Sequence, residues 1–301
     1  MYRYTLEKSS KKKSVCPKCD KRTLVRFIDN ETGNYLSENY GRCDRENQCG
    51  YFLKPSQEKS YFSIVKIPEI IPPSFIDRNI VFNTLKNYNQ NNFANFLLKF
   101  FNLSQVKEVI NKYKIGTSKH RFRNIDFPNY ISEGGANIFW QIDNKNRVRS
   151  GKIMLYNASS GKRVKEPFNH IYWAHSSLKI KPFNLSQCLF GLHLINSDLS
   201  KPIAIVESEK TAIIMSIEAP NYIWLATGSK SNLKEELLKP LKNRIVVLYP
   251  DNDSFNDWQK LVNQLKLKGY KIAISDLLEQ MKLKEGSDLA DYFIENNNKI
   301  L

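Results

Sequence analysis

The chain has 301 residues, 41% of them hydrophobic, with 46 Lys+Arg against 30 Asp+Glu for a net charge of +16. That length allows two or three domains, and that apolar content supports real cores, so a wholly disordered chain is excluded. No run approaches the ~20 apolar residues of a membrane span. MYRYTLEKSSKKK has lysines with no apolar stretch behind them, so no secretory signal is expected and the predicted compartment is the cytoplasm.

The first segment with chemical content is CPKCDKRTLVRFIDNETGNYLSENYGRCDRENQCGY, residues 16–51. Cys16 and Cys19 form a C-x2-C knuckle, and Cys43 and Cys49 form a second pair with a wider gap. Between them NETGN is a turn signal flanked by extended runs. A hairpin that delivers two cysteine pairs to one tetrahedral zinc site is the layout of a zinc ribbon. A module of this size lacks an apolar core of its own, so structural zinc is expected to supply much of its stability. Lys11, Lys12, Lys13, Lys18, Lys21, Arg22 and Arg26 crowd it, with Phe27, Tyr35 and Tyr40 among them, a mixture suited to phosphate attraction and base stacking on single-stranded DNA. A solvated charged face is the plain alternative. Cys188 stands apart as a small core hydrophobe, and His120, His170, His175 and His193 form no ligand spacing.

Residues 56–115 read as a proline-bearing linker followed by a helical connector. Phe93, Phe96, Leu97 and Phe100 make one apolar stripe and Val106, Val109 and Ile110 another, with Gly116 expected to end the second helix. Residues 116–200 read as a basic α+β subdomain. NIFWQID, RVRSGKIMLYN and HIYWAHS have the period of strands, separated by turns at DNKN and NASSG. Residues 116–181 carry 12 basic and 4 acidic side chains, the most lopsided stretch of the chain. Such a surface fits triphosphates or a template strand.

From Lys201 the pattern becomes regular: strand IAIVE, helix SEKTAIIMSIEA, strand YIWLATG, helix SNLKEELLKPL, strand IVVLYPDND, helix FNDWQKLVNQLKLKG, strand KIAIS. Alternating strands and helices with continuous apolar strands predict a doubly wound parallel sheet over 201–301. This third of the chain holds 14 basic and 14 acidic side chains, so the whole positive excess lies in residues 1–200. Ligands collect at the carboxyl ends of parallel strands, where Glu207, Gly228, and Asp251 with Asp253 stand. In an extended chain residues two apart face the same side, so the two aspartates are expected to converge on one Mg²⁺ or Mn²⁺.

Glu after a strand, T-G in a later turn and D-x-D after another strand resemble the Toprim fold of topoisomerases, bacterial replicative primases and certain nucleases. KEGSDLADYF, 284–293, resembles the acidic segment of primases; Asp288 matches its first aspartate and Asp291 is one place off register. GKIMLYN, GKRVKE and QCLFGLHL resemble the end of the basic subdomain of bacterial-type primases. The order zinc ribbon (1–55), linker and connector (56–115), basic subdomain (116–200) and Toprim domain (201–301) is similar to that of a primase, and to small zinc-ribbon–Toprim proteins of plasmids and mobile elements. The departures are a four-cysteine ribbon where many primases use a histidine, and a short first polymerase region.

The resemblance implies synthesis of short RNA primers on single-stranded DNA from ribonucleoside triphosphates, with a replicative helicase as a further partner. Asp251, Asp253 and Asp288 would hold magnesium or manganese. Glu207 would complete that site or act as acid/base. Lys165 corresponds to the family's nucleotide-contacting lysine, and Lys152, Arg163, Lys210 and Lys230 complete the candidate nucleotide- or DNA-binding cations. A Toprim nuclease and a non-catalytic DNA-binding or mobilisation factor are the competing readings.

Overall fold

A computed structural model describes residues 2–9, 12–55, 71–281 and 288–297; Lys11, the start of the connector at 56–70 and residues 284–287 of the acidic segment lie outside them. The chain divides into two compact units, Met1–Ile70 and Ile71–Leu301.

In the first unit, β1 (Tyr4–Leu6), β2 (Leu24–Asp29), β3 (Gly41–Cys43) and β4 (Phe52–Leu53) form an antiparallel sheet in that order. A one-turn helix, α1 (Glu46–Cys49), precedes the last strand. The expected turn after β2 is closed by Asp29, whose carboxylate accepts from the Glu31 amide at 2.9 Å, and by Gly33 at φ 72°. The buried centre is Cys16, Leu24, Cys43 and Cys49, with Cys19 and Tyr51 packed against it. That is too little apolar surface to hold a domain together.

The second unit opens with α2 (Arg78–Thr84), α3 (Asn92–Leu97) and α4 (Leu103–Tyr113). A capping box between Asn102 and Gln105 starts α4. Its end differs from expectation: Lys114, at φ 54° and ψ 48°, makes the left-handed cap, while Gly116 begins β5 (Gly116–Thr117). Glycine is needed at 116 for close approach, because a Cβ there would collide with Thr84 and the Trp140 indole.

Strands β5, β6 (Asn137–Ile142), β7 (Val148–Met154) and β8 (Ile171–Trp173) form an antiparallel sheet in chain order. Asp143 organises the β6–β7 turn: it accepts from the Lys145 and Arg147 amides at 2.9 and 3.0 Å and pairs with the Arg147 and Arg149 guanidiniums. The predicted strand HIYWAHS stops at Trp173, and Ala174–Ser177 coils into α5. Ile138, Trp140 and Ile142 pack into one core and Phe139 into another, so alternation places β6 between two apolar layers.

Four parallel strands, β9 (Ile203–Val206), β10 (Ile223–Ala226), β11 (Val246–Leu248) and β12 (Ile272–Ile274), lie in the order β10-β9-β11-β12. Helix α6 (Glu209–Glu218) links β9 to β10, and α8 (Phe255–Leu267) links β11 to β12. These crossovers step in opposite directions across the sheet, and right-handed connections then set α6 and α8 on opposite faces. The stretch SNLKEELLKPL, expected as one helix, is broken into a 3-10 turn, α7 (Glu235–Leu238) and a second 3-10 turn at Lys239–Leu241. Pro240 lacks the amide that a continuing helix requires. Helices α9 (Leu277–Gln280) and α10 (Leu289–Asn297) follow, and α4 and α10 pack against α6.

Side chains of α3 and α4 share a core with the parallel sheet, and the buried Tyr113 hydroxyl donates to the Trp224 carbonyl at 2.8 Å. Among the described residues, no helix is long and apolar enough to cross a membrane.

Candidate nucleotide and metal site

The direction in which successive crossovers step across the sheet reverses between the parallel neighbours β9 and β11, and the crevice at their carboxyl ends is where an open parallel sheet receives ligands. Glu207 directly follows β9 and is 8% exposed; its Oε1 has no hydrogen-bond partner. Burial raises its pKa, against hydrogen bonds from the Ser254 side chain and the Asp251 backbone. Asp251 lies three residues beyond β11. Burial, reinforced by Glu207, Asp288, Asp253 and Asp291, pushes its carboxyl up to about 8. So many acidic groups around one half-buried carboxyl create an unmet demand for positive charge.

Asp253 does not share the extended geometry expected of it. The strand ends at Leu248, and the Ser254 amide donates to the Asp251 carbonyl at 2.9 Å, so residues 251–254 turn. The Asp253 side chain is 51% exposed and lies 3.6 Å from the Lys230 ammonium. Asp288 sits immediately before α10. One of its oxygens accepts from Thr211 Oγ1 at 2.7 Å and the other from the Asp291 amide at 2.9 Å. Lys210 reaches both aspartates, at 2.9 Å from Asp291 and 3.6 Å from Asp288. Burial lowers this lysine, but the two carboxylates outweigh it and its pKa is raised.

Glu207, Lys210, Asp251, Asp288 and Asp291, but not Asp253, line a cavity of about 1050 Å³ whose wall also includes a strap of positive charge carrying Lys162, Arg163 and Lys165. All three are exposed, and among the described residues none has an ion pair. The strap is held in shape by its own turn. Asn157 Oδ1 accepts from the Ser159 and Ser160 amides at 2.8 and 2.9 Å, and Gly161 adopts φ 62°. A Cβ at 161 would enter the Phe96 ring, and Lys99 donates to the Ser159 carbonyl at 3.3 Å. Helix α3 therefore seats the strap.

Of the cations expected here, Arg163, Lys165, Lys210 and Lys230 reach the cavity wall. Lys152 does not. It is buried on β7, 2.6 Å from Glu209, and donates to the Gly228 carbonyl at 2.8 Å, tying the antiparallel sheet to the start of α6. The sequence reading did not single out Thr211, which donates to Asp288, or Ser254, whose hydroxyl donates to Asp253 Oδ1 at 3.0 Å and whose side chain helps to lower the Glu207 pKa; a hydroxyl within a few residues of each strand tip was the available signal.

In the first unit the sulfurs of Cys16, Cys19, Cys43 and Cys49 all lie within 4.8 Å of one another. Cys16 and Cys49 sulfurs are 3.7 Å apart, close to the edge of about 3.8 Å in a tetrahedron with ~2.3 Å Zn–S bonds. The Lys21 backbone amide is the main cause lowering the Cys19 thiol to about 7, which favours the thiolate a metal needs. The cluster therefore fits structural zinc. On the same unit the Arg26 guanidinium lies 5.0 Å from the Tyr35 ring, and Phe52 stacks on Phe27 with Lys54 above it. Among the described residues no three carboxylates at the strand tips match the cysteines' spacing. A divalent ion there would take one or two protein oxygens and fill its shell from water and phosphate, as Mg²⁺ does.

Residues 91–252 match the family described as a domain of unknown function, DUF6371, and residues 2–63 match a family of zinc β-ribbon fingers. No curated protein matches the chain. Among solved structures it is similar to a DnaG primase catalytic domain bound to single-stranded DNA, at 15% identity over 73% of this chain and 75% of that one, TM-score 0.47. It is similar to the RNA polymerase domain of Mycobacterium tuberculosis primase DnaG at 10% identity, covering 74% and 79%, TM-score 0.47. For the Aquifex aeolicus primase with its zinc-binding and RNA polymerase domains the values are 13% identity, 98% and 79% coverage, and TM-score 0.45.

Proposed function

The chain belongs to the DUF6371 family, and since that membership assigns no chemistry, we propose a function from the cavity itself: metal-dependent nucleotidyl transfer of the primase type, making short RNA on single-stranded DNA. One observation carries the reading. The buried Glu207 and the half-buried Asp251, at two adjacent strand tips, line a single cavity together with cations that have no ion pair among the described residues. A ligand bearing both phosphates and a divalent ion satisfies both groups at once.

Glu207 and Asp251 would hold Mg²⁺ or Mn²⁺, and the orphaned Glu207 Oε1 supports that fit. Asp253 and Asp288 would add negative field, and Glu207 would also be placed to accept a proton when no metal engages it. Such an ion, when bound, supplies charge neutralisation to the attacking and leaving oxygens. Arg163 and Lys165 would grip the triphosphate, joined by Lys162, and Lys230 would steady the turn that carries Asp253. The ribbon's aromatic and cationic side chains would stack on and attract the template. A helicase partner and a home on a mobile element belong to the same proposal.

Purified full-length protein, single-stranded DNA, labelled ribonucleotides and Mg²⁺ should yield short RNA products. Asp251→Ala should lower that yield by at least ~10²-fold while leaving zinc content and circular dichroism unchanged. Unaltered synthesis in this variant would remove the catalytic assignment. Cutting of the DNA without nucleotides would instead identify a nuclease, and binding with no turnover a non-catalytic DNA-binding factor.

A further inference from the structure

Resting on that divalent-cation reading, we infer that Lys210 is a built-in cation for half of the acidic wall, so that the site takes one divalent ion, on Glu207 and Asp251. The segment from Glu207 to Thr211 divides the labour. Glu207 leaves the strand tip with one buried oxygen unpartnered. Lys210 and Thr211, on the first turn of α6, point their donors at the opposite group of acids. The ammonium of Lys210, in a side chain only 13% exposed, lies 2.9 Å from Asp291 and 3.6 Å from Asp288. Both Asp288 oxygens are already engaged, one by Thr211 Oγ1 and one by the Asp291 amide.

The other half is open. Among the described residues the Asp251 carboxyl has no ion pair or hydrogen bond through its oxygens, and Glu207 Oε1 is buried without a donor. Those two groups carry two formal negative charges when ionised, which a single divalent ion cancels. A second divalent ion beside Asp288 would have to expel an ammonium already seated there, or sit against it with like charge. Lysine is a compact point charge with three donors, suited to fill the place of a cation between two carboxylates.

Mn²⁺ binding to the zinc-loaded full chain, counted by electron paramagnetic resonance, tests this without reference to activity, since manganese favours oxygen over thiolate ligands. One bound Mn²⁺ is expected in the wild type. Glu207→Gln should weaken it by roughly tenfold or more, while Asp288→Asn should change its affinity by less than about threefold. Lys210→Met should create a second Mn²⁺ position, and its melting temperature should rise more steeply with the divalent ion than that of the wild type. Two ions in the wild type, a single ion in Lys210→Met, or loss of the ion in Asp288→Asn with retention in Glu207→Gln would overturn the assignment. Absence of any Mn²⁺ in the wild type would overturn it together with the divalent-cation reading, so the two failures are told apart.

Discussion

The ribbon and the larger unit solve the same problem by different means. In the ribbon Leu24 is the fully buried aliphatic side chain among the described residues, and the rest of the sealed centre is sulfur. In residues 71–301, Tyr113, Trp224 and Trp258 are buried to within 2% and join a continuous apolar core that runs from α3 to the parallel strands. The first design places its cohesion in bonds to an ion, the second in area removed from water. A chain containing both should therefore come apart in separable ways.

The largest effect is expected from metal removal. A strong chelator, or Cys16→Ser, should unfold residues 1–55 and expose them to protease, while residues 71–281 stay protected; equal loss of both units on chelation would break the contrast. A smaller effect tests the apolar unit for its own polar weak point. Lys152→Met leaves Glu209 buried without its partner and should cost about 3 kcal/mol or more in urea denaturation, with part of the loss recovered by adding Glu209→Gln. A cost near zero would mean that the ion pair is not sealed from water. The smallest is Asn102→Ala, which removes the capping box of α4 and should cost about 1 kcal/mol, leaving zinc content untouched.

Features that depend on near neighbours were legible in the sequence. The C-x2-C knuckle, the turn between β2 and Tyr35, the stripe of α4 and the alternation of apolar strands with helices each arise within a dozen residues, where spacing alone dictates geometry. Parallel strand tips carrying Glu207 and Asp251 could be placed for the same reason. The pairings that divide the site were not legible. Lys210 meets Asp291 across 81 residues and Lys152 meets Gly228 across 76, and nothing local distinguishes a lysine that lines an open cavity from one that seals a joint. Asp253 misled because period-two reasoning holds only while the strand continues, and the turn at Ser254 ends it first. Lys114 took the left-handed cap ahead of Gly116, whose missing side chain is spent on the indole of Trp140.

Gly161 links charge to core in one contact. Because the Phe96 ring occupies the volume where a Cβ would stand, the loop that presents Lys162, Arg163 and Lys165 cannot slide, lengthen or tilt without disturbing the packing of α3. The surface that presents these cations and the interior that keeps the molecule folded are thereby bound to a common fate. Substitution in the cationic loop is constrained from beneath, by an aromatic ring that belongs to the core.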